Sequence, residues 1–159
     1  MKNLTYLIAI CFCFALSQES KAQSFDQAIG ARLGYPLSIS YKKFISESDA
    51  IEAYAGRRGY IGYSWINASV AYQRHTQLNT PGLDWYWGVG ASAYFYSFDF
   101  ASDTGNLGLG AQGYLGLQYT FDDVPVNVSV DWIPTIFLSG YLNGAGLGYG
   151  SLAVRYVLD

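Results

Sequence analysis

Cysteine is nearly missing from this chain. Its two copies, Cys11 and Cys13, both fall within the first 22 residues, and the remainder has none. Disulfides, thiol chemistry and cysteine-based metal sites are therefore excluded from that remainder. Histidine occurs once, as His75, too little imidazole for a transition-metal site without cysteine. No cofactor is expected. Charge is also scarce, at 13 % of residues against about 25 % in an average soluble domain. No cluster of lysine and arginine marks a nucleic-acid surface. Beyond the N-terminal segment there is no apolar run of about 18 residues to make a transmembrane helix, and the helical period is absent.

What is present is a leader, followed by a long alternating pattern. Lys2 supplies a positive start, Leu4 to Leu16 (LTYLIAICFCFAL) an apolar stretch, and Ser20-Lys21-Ala22 a small-residue cleavage site. Residues 1–22 are expected to be a cleaved signal peptide and residues 23–159 one domain. The part after residue 22 has seven basic and eleven acidic residues, with 15 tyrosines and 18 glycines in the whole chain.

The alternation has period two, the period of a strand with two unlike faces. In LGLGAQGYLGLQYTF (107–121) every aliphatic residue larger than glycine falls on one face. Eight strands are expected, at about 26–34, 36–45, 50–58, 63–78, 84–99, 107–121, 126–138 and 148–158. Turn sequences such as Ser46-Glu47-Ser48-Asp49, Asn79-Thr80-Pro81-Gly82 and Asp122-Asp123 separate them. Strands of roughly ten residues or more match a tilted bilayer crossing and exceed the norm for soluble sheets. Pro134 falls inside the seventh strand, where a bulge or an early end of pairing is expected.

Two architectures use such faces. A soluble sheet turns its apolar face to a core, whereas an outer-membrane barrel turns it to lipid. The polar face here is rich in Gly, Ser and Tyr but poor in Lys and Glu, which suits a crowded lumen better than a wet surface. Trp85 and Trp87 stand near a strand end on the apolar face, where an interfacial aromatic girdle belongs. Lys43, Arg57 and Arg74 on that face also fall near strand ends, where a cation is tolerated. The expected fold is all-β: an antiparallel eight-stranded up-and-down transmembrane β-barrel, apolar outside and polar inside. An even strand count puts both termini in the periplasm, with turns 46–49, 79–83 and 122–125 periplasmic. The connections near 34–36, 59–62, 100–106 and 139–146 are then extracellular.

The stretches ISYKKF (39–44), PGLDWYWGVGAS (81–92), YTFDDVPVNVSVDW (119–132) and LAVRYVL (152–158) resemble a family of small outer-membrane β-barrel proteins of Bacteroidetes-type bacteria. The resemblance covers essentially the whole chain after residue 22. It implies an eight-stranded barrel inserted by the outer-membrane assembly machinery, and it brings no catalytic residues. Such barrels usually end on an aromatic residue, whereas this chain ends Leu158-Asp159.

Six charged residues fall on the polar face: Arg32, Lys42, Glu52, Arg58, Asp131 and Arg155. Burying a lone charge is prohibitive, so they are expected to pair. Lys42 and Glu52 lie across the second hairpin, on sites expected to be diagonal. Asp131 is expected to pair with Arg155 or Arg32 across the closing seam. An eight-stranded barrel is wide enough only for side chains to fill it, and Tyr54, Tyr86, Tyr94, Tyr96 and Tyr114 are placed to do so. The first functional expectation is thus a structural or interaction role without catalysis, among lipid and a membrane protein partner. A narrow channel is one alternative. A lipid-modifying enzyme using His75 is the other, but His75-Thr76-Gln77 has no nearby serine or nucleophile elbow and reads as a rim residue. Gly108-Leu109-Gly110-Ala111-Gln112-Gly113 matches a dinucleotide fingerprint without the strand–turn–helix context that fingerprint needs.

Overall fold

The computed structural model describes residues 25–34, 36–61, 63–98, 106–140 and 144–158. The expected signal peptide, Tyr35, and parts of the loops near 59–62, 100–106 and 139–146 lie outside them. Among the described residues ten antiparallel strands are formed: β1 (Gln27–Gly34), β2 (Ser38–Phe44), β3 (Asp49–Tyr60), β4 (Tyr63–Gln77), β5 (Leu83–Phe98), β6 (Asn106–Thr120), β7 (Val126–Trp132), β8 (Thr135–Ser139), β9 (Gly144–Gly146) and β10 (Gly150–Leu158). Each of β1 to β6 pairs with the next. β10 pairs with β7 on one flank and β1 on the other, which closes the sheet. β6 pairs with β8 through its first half and with β7 through its second. β7 and β8 therefore make one wall, β9 and β10 another, and the ten segments form a closed eight-walled antiparallel barrel.

The interruption between β7 and β8 is Ile133-Pro134, as the proline predicts. Its form is specific. Trp132 opposes Leu115 and Thr135 opposes Gln112, so register with β6 runs unbroken across the gap. Gly113 still donates its N–H to the Pro134 carbonyl at 2.9 Å, but the return bond is missing because proline has no N–H. The register shift falls on the other flank, between the Gly150–Trp132 and Gly146–Thr135 pairs. A second irregularity sits at Leu109/Gly110. The short β9 continues the eighth wall where the sequence, Gly144-Ala145-Gly146, has too little side chain to show a strand.

Turn chemistry sets the hairpins. In Thr80-Pro81-Gly82-Leu83 the proline presets φ, Gly82 takes φ +74°, and Leu83 N–H donates to Thr80 at 3.1 Å, a type II turn that needs glycine at its third position. In the 46–49 turn, Ser46 Oγ accepts from Asp49 N–H at 3.0 Å and donates to its carboxylate at 2.9 Å.

The faces sort as the alternation predicts, and they are inverted relative to a soluble protein. The largest fully buried side chains include Arg32, Arg155, Lys42, Gln73, Gln118 and Glu52. Charged residues are among the least often buried in soluble domains. Exposed on the outside are Ile39 at 70 %, Val89 at 59 % and Leu152 at 43 %, with a continuous company of Ile, Leu, Val and aromatic side chains. At the end carrying both termini, Phe25, Ala28, Phe44, Ala50 and Val157 form an apolar stopper inside the barrel. Phe25 meets Phe44 edge to face at 5.2 Å.

Candidate functional site in the barrel lumen

The lumen is built from the inward half of each strand, so its residues come from every second position of all eight walls. Its centre is a charged cluster. Arg32 on β1 donates to Glu52 Oε1 on β3 at 2.6 Å, and to both Asp131 oxygens on β7 at 3.0 and 2.8 Å. Arg155 on β10 binds the same Glu52 oxygen. It also donates to Ser40 Oγ at 3.0 Å, Ser129 Oγ at 2.9 Å and Asn127 Oδ1 at 3.3 Å. Glu52 Oε2 accepts from Gln73 at 2.8 Å. Asp131 further accepts from Tyr86 OH and Ser151 Oγ, each at 2.7 Å. A guanidinium is a planar fork of donors, so it can hold two carboxylates at once, and hydrogen bonds to charged groups are the strong ones.

Lys42 is directly opposite Glu52, not diagonal to it. Even so, its ammonium turns to Gln118 Oε1 at 2.9 Å and lies 4.6 Å from the centre of the Tyr86 ring. Half-buried Asp84, across the β5–β6 ladder from Gln118, lies in the Lys42 field. With Asp84 counted, Arg32, Lys42 and Arg155 are balanced by Glu52, Asp131 and Asp84. Asp84 lies two positions before Tyr86, so the alternation that turns Tyr86 inward turns Asp84 inward too. Asp131 pairs with Arg32 and not with Arg155, of the two partners expected. Arg58 is half-buried toward the other end of β3, opposite Trp65.

Aromatic residues fill the space above the cluster. Tyr54 stacks under Arg32, 4.5 Å from its guanidinium carbon. Its hydroxyl meets Tyr114 OH at 2.8 Å, and Tyr114 donates to Gln112 at 2.8 Å. Tyr86 crosses the lumen over Gly116, where a Cβ would meet the ring at 2.6 Å. The fingerprint-like glycines lie inside β6. Cβ atoms on Gly108 and Gly110 would crowd Tyr96 and Ser92 at 3.1 and 2.7 Å, so those glycines make room in a packed interior. A pocket of about 30 Å³ beside Arg32, Asn67 and Thr135 has room for water-sized molecules.

His75 is not at the rim. It is 4 % exposed inside the lumen, stacked on Tyr86 at 4.7 Å and edge-on to Phe44 at 4.9 Å. β4 runs on to Gln77, so His75 shares the inward face with Gln73. Neither ring nitrogen has a hydrogen-bond partner among the described residues. No group of three or more metal-ligating side chains occurs among the described residues. Outside, Trp87 is 41 % exposed and Trp85 is half-exposed near the start of β5. Tyr41, Tyr72, Tyr119 and Tyr156 also face outward near the same end.

No protein-family model matches the chain, and no curated protein matches its sequence. Among solved structures, the crystal structure of Neisserial surface protein A (NspA) matches with a TM-score of 0.60 at 14 % identity, over 84 % of this chain and 94 % of that one. At that identity the likeness establishes the fold: this chain, like that protein, is a small closed antiparallel β-barrel.

Proposed function

We propose that the chain is an integral protein of a bacterial outer membrane, exported by a signal peptide at residues 1–22, with both termini periplasmic. Its role is structural or interactive, with lipid and an as yet undefined membrane protein as partners and the outer-membrane assembly machinery inserting it. One observation carries this reading: an exterior of exposed Ile, Leu and Val surrounds an interior of buried Arg, Lys and Glu. Water cannot stabilise so large an apolar exterior, whereas a bilayer needs it, and a closed barrel satisfies every backbone group. The likeness to a bacterial surface barrel is consistent with this reading.

A filled lumen argues against conduction. The Arg32–Glu52–Arg155 bridge spans β1, β3 and β10, and the Phe25–Phe44 stopper closes one end. His75 lacks the hydrogen-bonded serine and carboxylate that hydrolysis requires. In planar bilayers the protein is expected to add no single-channel steps to the baseline. Steady steps that vanish in lumen variants would replace the structural role with a channel. Mild-detergent pull-down with mass spectrometry would identify a membrane partner.

A further inference from the structure

The exterior is not a uniform apolar belt. Across β5, β6 and β7 runs a groove of about 500 Å³. Trp85 and Trp132 form its walls, and Leu115, Leu117 and Val130 its floor. Trp85 opposes Leu117, which opposes Val130, and Leu115 opposes Trp132. The positions between them, Gly116 and Asp131, face the lumen, so only the aliphatic side chains of Leu115, Leu117 and Val130 lie between the two larger indoles. Trp132 is held in place, its indole N–H donating to the Leu147 carbonyl at 2.6 Å.

The groove also has a direction. Trp85 is near the turn end of β5 (Leu83–Phe98), whereas Trp132 is the last residue of β7 (Val126–Trp132). It climbs from the end bearing the termini toward the middle of the belt. Five strand positions beyond Leu117, roughly 16 Å further toward that end, the turn joining the two floor strands exposes Asp122 and Asp123. A slot for an alkyl chain thus stands over a pair of carboxylates.

We propose that this groove is a lipid site, holding one acyl chain of a phospholipid with a primary ammonium head group, of the phosphatidylethanolamine class. The inference rests on the outer-membrane reading, which makes lipid the medium this face meets. Lipid tails are as apolar as leucine, so no hydrophobic gain distinguishes the groove from the rest of the belt. Selectivity comes from packing between the indoles and from charge. The carboxylates of Asp122 and Asp123 attract and accept hydrogen bonds from a primary ammonium. They repel an anionic head group, and a quaternary ammonium offers them no N–H.

The test uses the folded protein in phosphatidylcholine vesicles doped with a minor fraction of brominated phosphatidylethanolamine or brominated phosphatidylglycerol, read by quenching of tryptophan fluorescence. Brominated phosphatidylethanolamine is expected to quench roughly two- to fivefold beyond random mixing, the size of exposed charge contacts, and to exceed brominated phosphatidylglycerol. The double variant Asp122→Asn, Asp123→Asn, confined to an exposed turn, is expected to lose that preference. Leu117→Phe with Val130→Phe, which fills the floor, is expected to bring quenching down to random mixing. Quenching that follows mole fraction whatever the head group, or that favours phosphatidylglycerol, overturns the site while leaving the membrane barrel standing. Vesicles made wholly of brominated lipid separate the two claims: absence of quenching there overturns the membrane placement along with the site.

Discussion

Glu52→Ala is expected to destabilise the folded barrel by about 3–5 kcal/mol, the cost of breaking a buried ion pair by deleting one partner. Glu52 holds both Arg32 and Arg155. Among the described residues, its loss leaves two buried guanidiniums facing Asp131, three neutral side chains and the Tyr54 ring. Glu52→Gln separates charge from shape, because it keeps the volume and one acceptor oxygen. Most of the loss should therefore persist in Glu52→Gln. The measurement is the urea midpoint of the refolded protein in vesicles, followed by the gel shift between heated and unheated samples. A midpoint within error of wild type in both variants would show that the cluster contributes no net stability.

The second large effect belongs to the opposite face. Val70 is half-exposed and sits midway along β4 (Tyr63–Gln77), pointing outward. In a soluble protein an exposed Val→Arg change falls within about 0.5 kcal/mol of neutral. At the midplane of a bilayer it costs about 2–4 kcal/mol, falling to about 0–1 near the interfaces. Arg74, four positions along the same face and close to the strand end, already occupies such an edge site. Val70→Arg should therefore lower the urea midpoint in vesicles strongly, while Tyr72→Arg, nearer the edge, lowers it less. Equal and negligible effects at both positions would fit a water-facing exterior.

Much of this architecture is legible in the chain because it depends on parity. Val126, Val128 and Val130 alternate with Asn127, Ser129 and Asp131, and that alternation alone assigns faces. The same parity extends to the strand ends. It places His75 with Gln73, and Asp84 with Tyr86, on the inward face, whereas the local sequence His75-Thr76-Gln77 suggests a rim. Pairings inside the lumen are a different matter. Arg32 and Asp131 are 99 residues apart on walls separated by β10, and their meeting depends on how far the strands stagger when the sheet closes. Composition carries no record of that stagger. The stagger decides that Arg32 reaches both Asp131 and Glu52 while Arg155 reaches Glu52. The division of the seventh wall is legible in Pro134. The division of the eighth is not, since its short β9 is Gly144-Ala145-Gly146.

The central claim is that the outward face of this barrel meets lipid and the inward face meets packed side chains. Because the chain has no cysteine after Cys13, single cysteines can be placed along β4 and spin-labelled in vesicles without removing native thiols. Labels at 66, 68, 70 and 72 are expected to collide freely with dissolved oxygen and poorly with a water-soluble nickel chelate. Labels at 67, 69, 71 and 73 should be shielded from both. An alternation in which the outward positions are open to the nickel chelate would place that face in water and contradict the account.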